Sequence, residues 1–481
     1  MYTDYVCRQI IKHSKIIRHM TNNINNGGSM EAKIPQKKPD LFEELFGIQQ
    51  RIQRKISENQ TVKKLHLQNG EAIYLILFSV FYSYCYYRTT MIEKALMIEM
   101  ILTTLIGLYC ALIWAKVIIF DIRKKKDFLH ILLPELAGFV LAMIVSSNYN
   151  MEYLILVYLL VIGARNIDFR RIAVASIIIS AAFIIPVTIL SLLGVLPDLV
   201  YYSNGSMRHS LGFLSPTDYG AHFFFVLCAY FWLRNGRFRW YDAALFAVIT
   251  AYVFFFCVAK TDCTCILALL LSGILLRYKP VADFLLRIKW VYILSFVVLA
   301  AAALIVVLLY YPGNPLRDIM YVKMNSTHYR FEVARKMLQK VGLTPFGATF
   351  FELGIGGTTD TIDMDTDYTF IDISYIKILL KYGVIAFAAF MTVLTRFMYK
   401  RSEAKDIATL IMMFIIAVNC FMAHHLIDFS YNIFILMFFA DLSHGEKSEA
   451  DRLLSDKEEK NKHESKQKRK NRKSIRSSVT R

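Results

Sequence analysis

Long apolar stretches recur through the middle of the chain, near 71–87, 95–120, 128–146, 153–164, 172–196, 219–233, 242–259, 264–276, 290–311, 370–395, 406–423 and 431–441. A bilayer's hydrocarbon core is about 30 Å thick and takes about 20 helical residues to cross. The pattern therefore predicts an all-α polytopic membrane protein with about 12 transmembrane helices. Three stretches, 153–164, 264–276 and 431–441, are short for that purpose. Two large polar segments interrupt the series, 197–218 and 312–369. Within the second, Phe331, Ala334, Met337, Leu338 and Val341 recur at helical spacing. That stripe predicts an amphipathic helix over Tyr329–Val341 lying on the membrane, stopped by the Gly-Leu-Thr-Pro that follows.

Composition agrees. Apolar residues make up 56% of the chain, against roughly 45–50% in a soluble domain. The net charge of +18 would suit nucleic acid, but there is no zinc-finger spacing and no basic groove interleaved with aromatics. The charge lies instead in the tails and in short loops, where membrane topology and anionic headgroups place it. Most of the eight cysteines sit inside apolar runs and read as small buried hydrophobes. No disulfide framework, metal site or cofactor is expected.

Alternate short connectors differ sharply in Lys and Arg. One set, at 123–126, 165–171, 234–239, 277–289 and 396–405, carries 18 such residues. The opposite set carries only Arg88, Lys94, Arg208 and Lys260. The positive-inside bias puts the first set in the cytoplasm, together with both termini. Segments 197–218 and 312–369 then become the two large external loops. Residues 1–70 are expected to be a largely irregular cytoplasmic segment without a cleavable signal peptide, the first span serving as a signal-anchor. Within it, Leu41–Ile56 has the pattern of a short amphipathic helix on the inner leaflet. The polytopic domain runs over 71–441, and 442–481 reads as a disordered basic tail drawn to anionic lipid. The acidic run 360–372 lacks the glycine and glutamate of a calcium loop.

Candidate chemistry follows from charges in apolar surroundings. Arg208 and Arg330 fall in the two external loops, and an arginine fork matches phosphate. The alternative for each is a side chain snorkelling to headgroups. His209, Gly212, Pro216 and Gly220 surround Arg208 with residues suited to a tight, irregular backbone. Lys260 and Asp262 interrupt a long apolar region, either as a site or as a plain hairpin turn. Asp372 and Tyr375 stand at the outer start of a span, where they suit a helix cap and an interface anchor as well as a sugar-binding pair. His424 and His425 share a short external turn near Asp428, and His425 is the candidate general base for an acceptor hydroxyl.

Several segments resemble the Wzy-type polysaccharide polymerases of the O-antigen polymerase and ligase superfamily, most closely the capsule and exopolysaccharide members. They are ARNIDFRRI at 164–172, RHSLGFLSPTDYG at 208–220, VAKTDC at 258–263, YRFEVARKMLQKVGLTPFG at 329–347, FIDISYIKILLKYGVIAF at 370–387 and HLIDFSYNIFILMF at 425–438. The resemblance implies a polymerase that joins oligosaccharide repeat units carried on undecaprenyl pyrophosphate at the outer face of the cytoplasmic membrane. It puts Arg208 and Arg330 on the pyrophosphate and gives His209, Lys260, Asp262, Asp372 and Tyr375 substrate-binding places. It also implies membrane lipids as surroundings, with a flippase and a chain-length regulator as pathway partners. The chain departs from the family at Ser215-Pro216-Thr217, at Cys263-Thr264, where a family arginine is absent, and at Asp372-Ile373-Ser374. These departures are where an altered specificity or a weakened enzyme would originate. A ligase of the same superfamily is the rival enzyme, and a lipid-linked oligosaccharide transporter is the rival outside enzymes. The absence of a convincing internal repeat weighs against the transporter.

Overall fold

The computed structural model describes residues 41–58, 70–95, 99–122, 125–149, 152–203, 205–323, 328–358 and 368–443. Of the expected irregular N-terminal segment only 41–58 and 70 are among these residues, and of the basic tail only 442 and 443; most of the acidic run 360–372 lies outside them. One helix, α1 (Leu41–Glu58), covers the amphipathic pattern of Leu41–Ile56. The remaining described chain is mostly helical. Its principal helices are α2 (Glu71–Tyr87), α3 (Glu99–Lys116), α4 (Leu133–Tyr149), α5 (Glu152–Gly163), α6 (Phe169–Leu192), α7 (Pro216–Leu233), α8 (Trp240–Cys257), α9 (Lys260–Leu275), α10 (Lys279–Arg287), α11 (Ser295–Leu309), α12 (His328–Val341), α13 (Ser374–Glu403) and α14 (Ile407–Asn419).

Among the described residues, four helical segments are long and apolar enough to cross a membrane: Phe128–Ser147, Phe169–Leu192, Trp240–Cys257 and Ser374–Glu403. A fifth exists if α9 and α10, bent by 119° at their junction, count as one broken span. Large apolar side chains such as Ile178, Val248, Phe255 and Val298 point outward. A lipid-facing surface requires that arrangement and a water-facing one penalises it. At the centre, α7 packs against α6, α8, α9 and α14. Both α7 and α14 are buried along most of their length.

The last apolar stretch departs from expectation. Only Ile433–Phe438 is helical, as a six-residue 3-10 turn, about 12 Å long at 2.0 Å per residue. It is no transmembrane helix. Its side chains are apolar because protein surrounds them, with Ile433 through Met437 buried. The segment nonetheless runs back along the bundle. Phe438 packs against Phe397 in the second half of α13, and Asp441 hydrogen-bonds main chain to main chain with Ile167 and Phe169, at 2.7 and 3.0 Å. Irregular backbone is tolerated at membrane depth only when buried in protein.

The same end of the molecule explains the NIDF sequence. Lys116 Nζ lies 2.8 Å from Asp121 Oδ2, both side chains wholly buried, and also donates to the Arg165 carbonyl at 2.6 Å. Asn166 donates to the other Asp121 oxygen at 3.0 Å, and Arg165 pairs with Glu135 at 2.5 Å. Asp168 caps α6 by accepting from the Arg170 amide. In this chain the motif ties helix ends together.

The all-α expectation also misses one small sheet. An antiparallel hairpin, β1 (Val200–Ser203) with β2 (Ser206–His209), pairs Tyr201 with Arg208. The Asn204-Gly205 dipeptide between the strands is a strong short-range hairpin signal, and Gly205 has φ of 74°.

Finally, α13 is broken at Gly383, where φ is 84°. Two amides beyond the break, those of Val384 and Ile385, bond the carbonyls of Thr344 and Pro345 at 3.0 and 3.1 Å. Leu380's carbonyl before it accepts from Ala348 at 3.1 Å. The loop after α12 thus takes over the hydrogen bonds that the broken helix leaves open.

Candidate functional site

Arg208 reaches the site from β2. Its Nε donates to the Cys257 carbonyl at 3.0 Å, at the C-terminal, partially negative end of α8. The turn that presents this carbonyl is strained, since Val258 is a β-branched residue with φ of 50°. Among the described residues, no carboxylate stands within ion-pair distance of Arg208. Burial, and then the neighbouring Arg330, disfavour its charged form. Arginine keeps its proton regardless, so the group stays charged.

Arg330 arrives from the first turn of α12. Its Nε lies 3.3 Å from Asp372 Oδ2, and its Nη1 donates to the Met422 carbonyl. The helix was expected to lie on the membrane. Instead its apolar stripe packs on protein, with Phe331 set against Tyr310 and Phe421 and Phe331, Ala334 and Met337 buried. This packing fixes Arg330 over the bundle's end. Asp262, in the first turn of α9, is buried and accepts from Asn419 Nδ2 at 2.9 Å, within electrostatic reach of both arginines. Arg208, Arg330, Asp262 and Asp372, far apart in sequence, therefore form one charged group.

Other expected site residues are engaged elsewhere. His209 Nδ1 pairs with Asp198 Oδ2 at 2.6 Å, while the other Asp198 oxygen accepts from the Leu211 amide at 2.8 Å. That arrangement staples the hairpin to its own loop. Tyr375 is buried, and its hydroxyl donates to the Ala417 carbonyl at 2.8 Å, tying α13 to α14. Lys260 is exposed at the start of α9, and among the described residues its ammonium has no ion pair.

His425 lies in a turn held by Ser374, whose hydroxyl donates to Ala423 at 2.6 Å and accepts from the Leu426 amide at 3.2 Å. Its ring is 2% exposed and packs on Tyr431, 4.1 Å between centroids. Burial first, then Lys377 and Arg330, push the imidazole down to about 3. It is neutral but weakly basic, and on its own a poor general base. The histidine pair extends a ring column that the sequence did not reveal, in which His222 stacks between Tyr86 and Tyr431 at 4.1 and 4.4 Å.

Two further features were missed. Asp218, in the first turn of α7, shares a hydrogen bond with the Tyr431 hydroxyl and approaches both His424 and His425. Glu352, in the loop after α12, is clamped by Lys377 at 3.0 Å and Lys381 at 2.5 Å. Burial pushes the Glu352 carboxyl up, but the two lysines outweigh it and hold it below the usual carboxylate range. Tyr201 joins the two loops, its hydroxyl lying 2.9 Å from the Ile355 carbonyl and 3.0 Å from that of Thr358. The spacing of Lys377 and Lys381, four apart on a helix in apolar surroundings, was the available signal.

No known family, curated protein or solved structure matches the chain.

Proposed function

We propose that the chain is a membrane glycosyltransferase of the polysaccharide-polymerase type, joining lipid-pyrophosphate-linked oligosaccharide repeat units at the outer face of the bacterial cytoplasmic membrane. The observation that carries this reading is that Arg208 and Arg330 are electrostatic neighbours and that no carboxylate among the described residues stands within ion-pair distance of Arg208. A diphosphate is the anion whose charge and shape suit two guanidinium forks. The proposed topology has twelve crossings, the last one the irregular 428–441 return, and both termini in the cytoplasm.

In the proposed reaction an acceptor hydroxyl attacks the anomeric carbon of the growing chain. The new C–O bond forms as the bond from that carbon to the pyrophosphate oxygen breaks; undecaprenyl pyrophosphate departs with the electron pair, and the proton of the acceptor hydroxyl passes to the departing pyrophosphate and on to water. Arg208 and Arg330 stabilise the charge that develops on it, the largest contribution such a site offers. Asp372 and Met422 hold Arg330 in place, and Cys257 holds Arg208. His424 and His425 lie within electrostatic reach of Arg330, and with Asp218 beside them they are the groups proposed to receive the acceptor.

The test is complementation in a strain lacking the native gene. Arg208→Ala and Arg330→Ala variants, checked for membrane levels, should accumulate single repeat units in place of long polymer. Normal polysaccharide from both variants sinks the site assignment. Long polymer left unattached in the deletion strain points instead to a ligase.

A further inference from the structure

We propose that Asp218, His424 and His425 form a binding site for one divalent cation of the Zn2+ type. One ligand-capable atom from each side chain lies within 4.8 Å of the others. Asp218 comes from α7 and the two histidines from the turn after α14, so the trio forms only in the folded chain.

The second observation is independent of that clustering. His425 is 2% exposed, and its Nδ1 has no hydrogen-bond partner among the described residues. A buried imidazole nitrogen left without a partner is costly unless something occupies it. The rings are also held in place, His424 and His425 lying 4.1 Å apart between centroids with Tyr431 against the second. Asp428 Oδ2, 3.9 Å from His424 Nε2, adds a second carboxylate at the rim. Arg330 and Lys377 lie near and oppose a cation. Asp218, with Asp428 and Asp372 in electrostatic reach, offsets them.

Two imidazoles and one carboxylate select borderline first-row cations over calcium or magnesium, and three protein ligands leave a coordination position open. The site rests on ligand geometry and holds whatever the chain's reaction proves to be.

The experiment uses the full chain in detergent, without a polyhistidine tag, stripped by chelator and titrated with Co2+ alone. One Co2+ per chain should bind with visible d–d absorption and be displaced by Zn2+. His424→Ala, His425→Ala and Asp218→Asn should each weaken binding by at least about tenfold, the smallest loss expected even for groups outside the ligand set. His130→Ala, on a different element, should leave it unchanged. X-ray absorption of the Zn2+-loaded wild type reads the ligands without any variant, and should show imidazole scattering with nearest atoms at about 2.0–2.1 Å. Absence of stoichiometric binding, binding that survives all three substitutions, or a sulfur shell would each overturn the site.

Discussion

Arg208 and Arg330 carry the same charge but are satisfied differently. Arg330 has a carboxylate at 3.3 Å as well as a carbonyl, whereas Arg208 has one carbonyl. Arg208 therefore retains more unmet charge. Substitution by lysine should cost more there, because a lysine cannot reproduce the fork. Under the proposed reaction, Arg208→Lys should lower polymer yield further than Arg330→Lys, as read by gel analysis of glycan length. His425 makes a prediction of its own. In metal-free protein the folded ring protonates only near 3, whereas the unfolded chain does so near 6.5. Between those values the unfolded state holds the extra proton, so stability rises with pH there and is flat above about 6.5. The slope from this residue is at most about 1.4 kcal/mol per pH unit. Thermal unfolding from pH 4 to 8 should show it, and a His425→Gln variant should flatten the curve. At this scale the sequence was partly legible. Charges stranded in apolar context pointed to Arg208, Arg330, Asp262 and Asp372, which do meet. It could not show that His209 and Tyr375 are spent on Asp198 and Ala417, because the first pairing depends on how the hairpin loop folds back and the second on how α13 packs against α14.

Breaks and irregular passages do as much as the regular helices to place these residues. The interruption of α13 at Gly383 lets the loop after α12 enter the bundle and deliver Glu352 to Lys377 and Lys381. Both backbones must come close there. A Cβ on Gly347 would collide with the Lys381 carbonyl, and one on Gly383 with the Gly347 amide. Each glycine also has positive φ, 87° and 84°. Gly347→Ala or Gly383→Ala should therefore destabilise by about 2–5 kcal/mol, combining left-handed strain with overpacking. A fluorescence-monitored melt in detergent would check this, and an unchanged midpoint for both would refute the account. Helical periodicity located α12 correctly but not its surroundings, since an apolar stripe facing protein reads the same as one facing lipid. The 431–441 stretch failed for the same reason: hydropathy reports burial without saying what does the burying. The Asn-Gly hairpin signal was present and was overshadowed by the helical pattern around it.

For the molecule as a whole, the two ends of the bundle differ in chemistry. One gathers the arginines, the histidine turn and the hairpin. The other holds the buried Lys116–Asp121 pair and the Ile167–Asp441 junction. Under the proposed topology, which follows the charge bias along the sequence, the first end lies outside. Alkaline phosphatase fused after Gly205 should then be active, and the same reporter fused after Arg237 inactive. A reversed pattern would invert the proposed topology and remove the arginines from an external substrate. The anchoring of those arginines has a consequence for how such proteins can be traced across lineages. Both are held through main-chain carbonyls, those of Cys257 and Met422, and a carbonyl is present whatever side chain its residue bears. Neither carbonyl contact depends on which side chain stands at 257 or 422, although Cys257 itself is buried in the core. A search for covarying side chains would miss the Cys257 carbonyl contact, the hydrogen bond that holds Arg208 in place.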